Sequence, residues 1–366
     1  MMMEDAVKPL GEAASREALA RELIPEMKLR SYKDLDVYVT TASESPTVMT
    51  EIGRIREREY RTVGAGRGVA RDIDGYDTGF PCYKQLVAWD PEAGEIVAMY
   101  RFLFAEEALR AGDLSRLRTT GLFRFSETFR RRYLPNSVEL GRSVVNREAK
   151  RAILGLFVVW AGLGAFVAEY PEIKYFFGNV SVYRTWPTAA VDTLLAFLYE
   201  HYRGEAGLIS ALEETAYRSP GVEDLRARRF AGISRAEASE RLSAALKQHG
   251  LTPPPILLSY MKATESLAVF DTARDADFGG ALETALWVPV AGLGEKTKRR
   301  FVESYVGENP GALTRYGFAP SGPAHGRTHG RASARAPTRA PNAQPAGGPG
   351  GPGGRPGAAA YGESCD

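Results

Sequence analysis

From Ala152 to Ala168 the chain carries no charged residue, and this run restricts its fold more than any other stretch. A segment this apolar must be buried, either in lipid or against protein. Its length is close to the lower limit for a membrane span, about 17–25 residues. Gly155, Gly162 and Gly164 weaken it as an isolated helix, and a helix that is apolar all round is what a protein core buries against a sheet. The run therefore reads as a buried core helix and not as a transmembrane segment.

The residues before it matter as much. Ser137–Val145 (SVELGRSVV) has the extended, β-branched character of a strand. Arg147, Glu148, Lys150 and Arg151 follow, so a basic turn leads from the strand into the apolar helix. Free backbone N–H groups and the helix dipole favour an anion at such a junction, and nearby cations add to the effect. Glu139 and Arg142 are unusual, because charges avoid buried strands unless paired. Being three apart, they point to opposite faces of an ideal strand unless a bulge at Gly141 intervenes. Such a bulge would turn backbone N–H groups toward a ligand.

At 366 residues the chain makes one large or two ordinary domains, and with 44% hydrophobic and 25% charged residues it has ordinary globular composition. Cys82 and Cys365 lie near opposite ends and form no disulfide framework, so a reducing cytoplasm is the default location. His201, His249, His325 and His329 make no metal-ligand pattern with them, and no metal is expected. The N-terminus has no secretory signal pattern. Basic residues are scattered with no helix-turn-helix or zinc pattern, which excludes nucleic acid as the expected partner.

In order, residues 1–35 read as a polar leader, 36–318 as one α/β domain, and 319–366 as a disordered tail rich in Gly, Pro, Ala and Arg. Within the domain, Leu35–Thr41 alternates as a strand and Met49–Tyr60 reads as an amphipathic helix. An acidic loop holds Asp72, Asp74 and Asp77. Tyr83–Trp89 and Glu95–Phe104 form a hairpin across DPEAG. Residues 105–136 read as Arg-rich loops with a short helix, Lys174–Val182 as a strand and Thr188–Tyr202 as a helix. Residues 203–250 read as weakly periodic helix, with a Ser cap at Ser234 and a closing Gly250. ILLSYMKA, a loop, DADFGG and a final strand ALWVPVA complete the domain.

Taken together, REREY at 56–60, DIDGYD at 72–77, EIVAMYR at 95–101 and VELGRSVV at 138–145 resemble the acyl-transferring branch of the GNAT superfamily. FFGNVSV at 176–182, PPILLSY at 254–260 and DADFGG at 275–280 extend the resemblance over about residues 36–305. The sequence is similar to the autoinducer (acyl-homoserine lactone) synthases and, more closely, to the ornithine/glycine lipid N-acyltransferases often labelled hemolysin-like. The resemblance implies a central mixed sheet flanked by helices and splayed where a thioester enters. It also implies transfer of a fatty acyl group, often 3-hydroxylated, from acyl carrier protein or acyl-CoA to the amine of an amino acid, the first step of aminolipid synthesis. No cofactor beyond that phosphopantetheine thioester is expected.

Under that resemblance Glu139 is the expected base, with Asp74 and Asp77 holding or deprotonating the amine. Arg101 and Arg142 would fix the acidic loop and Glu139, Arg56 would close the network, and backbone N–H groups near Gly141–Val144 would hold the oxyanion. Val144, Arg147, Lys150 and Arg151 are the expected phosphopantetheine contacts, and Arg130, Arg131 and Arg132 would steer an acidic carrier protein. Tyr183-Arg184-Thr185-Trp186 departs from the small polar residues usual there, which bears on acceptor specificity. Cys82 has no histidine near it in sequence to activate it, so direct transfer is expected. The rival readings are an autoinducer synthase using S-adenosylmethionine and a non-catalytic acyl- or carrier-binding module. The expected location is the cytoplasm, with peripheral contact at the inner membrane face.

Overall fold

In the computed structural model, which describes residues 7–317, ten strands form two sheets. They are β1 (Lys28–Tyr32), β2 (Leu35–Thr40), β3 (Lys84–Asp90), β4 (Glu95–Phe104), β5 (Phe123–Phe125), β6 (Ser137–Val145), β7 (Tyr175–Val182), β8 (Ile209–Ala211), β9 (Ala268–Asp275) and β10 (Ala281–Pro289). Eight form the main sheet in the order β1-β2-β3-β4-β6-β7-β10-β9, while β5 pairs with β8. Every neighbouring pair is antiparallel except β6–β7, which is parallel. The helices are α1 (Arg16–Glu22), α2 (Pro46–Arg61), α3 (Gly75–Thr78), α4 (Ala105–Arg110), α5 (Gly155–Glu169), α6 (Thr188–His201), α7 (Pro220–Leu225), α8 (Arg235–Lys247), α9 (Pro255–Ala263) and α10 (Glu295–Thr297). This is a mixed α/β fold, as expected. The tail expected from 319 onward lies outside the described residues.

Strand alternation sorts the core into two faces. On one, Leu86, Phe102, Val138, Leu140 and Val180 pack with α5, α6 and α8. On the other, Val87, Met99 and Val144 pack with α2, while Leu103, Phe177 and Ala285 pack with residues 105–134. Between those two clusters, the same face carries a row of polar side chains.

The sheet opens at its only parallel pair. β6 and β7 are registered from Ser137 with Tyr175 to Leu140 with Gly178, and then they part. At Gly178 a Cβ would stand 2.3 Å from the Leu140 carbonyl oxygen, so only glycine lets the strands close there before they diverge.

From residue 7 onward the leader joins the body: Ser15 caps α1, and Lys28–Tyr32 is the edge strand of the main sheet. Its apolar pattern is thin because Arg30 is buried too, donating to the carbonyls of Ala161, Phe301 and Ser304. The stretch read as a loop before DADFGG contains β9, whose Asp271, Thr272 and Arg274 interrupt the apolar signal.

The charge-free run does become a core helix. Residues 152–169 have the length and mean hydropathy, 2.0, of a membrane span, but more than half of the segment is buried in protein. Its glycines are contact points: a Cβ on Gly162 would lie 2.9 Å from the Leu86 and Val37 side chains. One on Gly164 would lie 2.1 Å from the Phe301 carbonyl oxygen. Helix propensity alone predicts that Gly164→Ala stabilises by about 1 kcal/mol. The packing predicts the opposite sign, a loss of about 1–3 kcal/mol. A denaturant midpoint that rises or stays level in this variant would contradict the packing account.

Candidate functional site

Where β6 and β7 part, a cleft of about 530 Å³ opens, lined on the β6 side by Gly141–Val145 and on the β7 side by Asn179, Val180 and Ser181. Its apolar end is closed by Leu156, Trp186, Leu251 and Ile256. β6 bulges inside the cleft: Met99 faces Val144 and Arg101 faces Gly141, so Tyr100 stands against both Arg142 and Ser143. A bulge at Gly141 was the condition for Glu139 and Arg142 to share a face; the bulge is there, and the residue that takes the left-handed conformation is Arg142, at φ 53°. That backbone is uncommon for a residue with a side chain and clusters at functional sites. Past Leu140 the β7-side edge of β6 has no strand partner, so its backbone groups are open to a ligand.

Arg142 keeps this conformation because its guanidinium is held. Its Nε lies 2.9 Å from Asp72 Oδ2 and its Nη2 3.7 Å from Asp74 Oδ2, with the ring of Phe278 4.6 Å from its Cζ. Beneath it, Arg101 Nη1 donates to Asp74 Oδ1 at 2.9 Å and lies 3.3 Å from Asp77 Oδ2. Arg56 Nη1 donates to both Asp77 oxygens, at 3.1 and 3.2 Å, and its Nη2 donates to Gln85 at 2.6 Å. Arg56, Arg101 and Asp77 are all but inaccessible. Burial alone would raise the Asp77 carboxyl, but Arg56 and Arg101 outweigh it and hold it below the usual range. Arg101 and Arg142 do the same to Asp74. These two aspartates were expected to hold or deprotonate the amine. The structure instead buries Asp77 under the cleft and commits both to arginines, which makes them weak bases and strong anchors.

Glu139 is held by a different set of partners from those expected. Its Oε1 accepts from Thr119 N at 2.7 Å and from the Thr119 hydroxyl; its Oε2 accepts from the Tyr83 hydroxyl and from Arg118 N at 3.1 Å. Neither Arg101 nor Arg142 donates to it, because both are engaged by the acidic loop. Burial raises its pKa in spite of the Thr119 and Tyr83 bonds. Two donors meet each oxygen, the Arg118 N–H being shared with the Tyr83 oxygen at 3.0 Å, so the acceptor sites of the carboxylate are occupied.

Three cleft residues were missed. Arg118 pairs with Asp275, and both line the cleft. Glu283 lies opposite Ser181 on β10 and is 5% exposed. The hydroxyl of Ser181 donates to its Oε1 at 2.7 Å. Burial pushes its pKa up to about 7 against that bond, and Asp275 nearby adds to the rise. Glutamate in a strand was the signal that marked Glu139, and it would have marked Glu283 had the last strand been started at Ala281.

The basic turn divides. Val144 and Arg147 line the cleft, and Arg147 Nε lies 3.2 Å from Glu59 Oε2 with its side chain 64% exposed. Lys150 is exposed outside the lining. Arg151 turns away to donate to the carbonyls of Lys33 and Asp34, so it is not a cleft residue. Arg130–Arg132 precede the closed end of β6, away from the opening. Cys82 is buried and does not line the cleft. Tyr183 and Trp186, the departures noted above, do line it. Among the described residues no group of three His, Cys, Asp or Glu is placed to hold a metal.

Residues 55–160 match the acetyltransferase (GNAT) domain family. The chain is 33% identical over 320 residues to a glycine N(alpha)-acyltransferase of Bacteroides thetaiotaomicron, covering 85% of this chain and 93% of that one. It is 35% identical to a glycine N(alpha)-acyltransferase of Phocaeicola vulgatus, covering 85% of this chain and 96% of that one. Among solved structures, the acyl-homoserine lactone synthase LasI matches 48% of this chain and 86% of its own at 13% identity and a TM-score of 0.29. A likeness that low carries no argument about the site.

The arginine–aspartate network sets a stability test. Removing one partner of a buried pair costs about 3–5 kcal/mol, because the other charge stays buried. Asp77→Asn is expected to lose that much in chemical unfolding. Because the Asp74 and Asp77 carboxyls are lowered in the fold, their stabilisation is complete above the ordinary aspartate pKa, about 3.9. It drains away as pH falls below that value. The unfolding midpoint of the parent should therefore drop through that acid range, and that of Asp74→Asn should drop less steeply. Equal slopes would contradict the assignment.

Proposed function

The chain belongs to the family of GNAT N-acyltransferases that includes the two glycine N(alpha)-acyltransferases, and we propose that it transfers a fatty acyl group from a thioester to the amine of glycine. The observation that carries this reading is the cleft at the parting of β6 and β7. It has an unpaired strand edge at a bulge on one wall and carboxylates on the other. A thioester carbonyl laid along Gly141–Val144 would meet backbone N–H groups in place of the missing strand, which is how an oxyanion is stabilised without reorganisation. The apolar end around Leu156, Trp186, Leu251 and Ile256 suits an acyl chain, and exposed Arg147 at the mouth suits the phosphate of a phosphopantetheine arm.

On the acceptor side, the Arg118 guanidinium reaches the cleft beside Asp275 and would hold the carboxylate of an amino acid. Tyr183 is bulky where a small residue would leave room, which favours an acceptor without a side chain. Transfer is direct in this reading, since Cys82 is outside the cleft. The donor is an acyl carrier protein or acyl-CoA thioester, and the product is the N-acyl amino acid from which an aminolipid is built, made at the cytoplasmic side.

Incubated with a long-chain 3-hydroxyacyl thioester and glycine, the purified chain is expected to form N-acylglycine, detected by mass spectrometry. Glycine should be preferred over ornithine and serine in competition. Thioester binding with no amide product from any of these amino acids would contradict the reading and leave a binding module.

A further inference from the structure

Glu283 is a buried carboxylate that the activity outlined above has not used. It lies on the same sheet face as Glu139, because β10 residues 281, 283 and 285 share the face of Asp275, Ser181 and Asn179 in the register of β9, β10 and β7. The two glutamates differ in what is left for a ligand. Glu139 has both oxygens filled by Thr119, Tyr83 and the Arg118 amide. Both glutamates line the cleft, but among the described residues Glu283 accepts from Ser181 alone, through Oε1. A carboxylate with spare lone pairs in the substrate cleft can take a proton, and one whose lone pairs are all engaged cannot do so without first breaking a bond.

We propose that Glu283, and not Glu139, is the catalytic base that removes the proton from the acceptor ammonium, while Glu139 positions the Arg118–Thr119 turn. This rests on the reading that the cleft acylates an amine. The ammonium enters with Glu283 ionised, and one N–H bond breaks as an O–H bond forms on the carboxylate. The nitrogen lone pair then attacks the thioester carbon, forming the C–N bond and the oxyanion. Collapse re-forms the carbonyl and breaks the C–S bond. The second nitrogen proton goes to the departing thiolate, which leaves as thiol, and Glu283 gives its proton to water. Atoms and charge balance with thioester and amine alone.

The surroundings suit the task. The charged groups facing Glu283 are Asp275 from β9, which raises its pKa, and Arg118 from the 118–121 turn and Arg142 from β6, which lower it. The Tyr183 phenol beyond the end of β7, itself pushed by burial to about 12, stays neutral. The resulting value of about 7 is close to the optimum for a base working at neutral pH.

The test is the pH dependence of kcat/KM with glycine and the acyl thioester. Wild type should show an acid limb near 7. Glu283→Gln should lose at least about 100-fold at pH 7 and lack that limb. It should recover activity toward the pKa of the amine, where the free amine needs no base. Its thioester affinity should be unchanged. Ser181→Ala removes the bond that favours the charged form, so its acid limb should move to higher pH even if Glu283→Gln does not fold. If wild type is active, an acid limb that survives Glu283→Gln, a loss confined to KM, or a limb unmoved in Ser181→Ala overturns the proposal. If wild type makes no amide at all, it is the acyltransferase reading that fails.

Discussion

The site depends on Arg101, buried in the sheet and shared between Asp74 and Asp77. A buried guanidinium is costly unless carboxylates meet it, so β4 cannot keep this residue without the acidic loop folded on top. The loop in turn cannot stay without Arg56 from α2 beneath it and Arg142 from β6 beside it. Three elements far apart in sequence are thereby fixed around one cluster of alternating charge. One result is an arginine held in left-handed backbone at the bulge. The strain belongs to the cleft wall, where Arg101 and Arg142 stand, and Asp72 and Asp77, which balance their charge, are buried outside the lining.

That division explains how the carboxylates share the work. Asp74 and Asp77 are the anchors, Glu139 holds the turn that carries Arg118, and Glu283 keeps capacity to spare. Acidity follows contact: carboxyls ion-paired with arginines are pushed down, and those whose burial outweighs more distant arginines are pushed up. A row of acids across one sheet face thus becomes both scaffold and chemistry.

Much of the frame was legible because the motifs are local. REREY lies on one helix, and its residues have fixed partners: Arg56 holds Asp77, Glu57 takes the amides of Arg67 and Gly68, and Tyr60 meets Phe278 edge to face. The hairpin, the core helix and the bulge follow from alternation, charge-free length and a misplaced charge. The rest depends on contacts that no local pattern encodes. Arg118 is one arginine among many in residues 105–136, and it is distinguished only by where the turn delivers it. β1 and β9 are interrupted by polar residues whose burial is made good by distant partners, as Arg30 is by carbonyls on α5 and beyond. Arg151 reads as part of a phosphate site but is drawn off by the turn between β1 and β2.

In the proposed reaction donor and acceptor meet in one cleft, with the thioester along the β6 edge and the amine toward β10. The decisive experiment is a set of initial rates over a grid of thioester and glycine concentrations, with intact-protein mass spectra taken on thioester alone. Intersecting reciprocal plots and an unmodified protein mass are predicted, the pattern of a ternary complex. Parallel plots with an acyl adduct on the protein would mean a covalent intermediate, and would contradict direct transfer within the cleft.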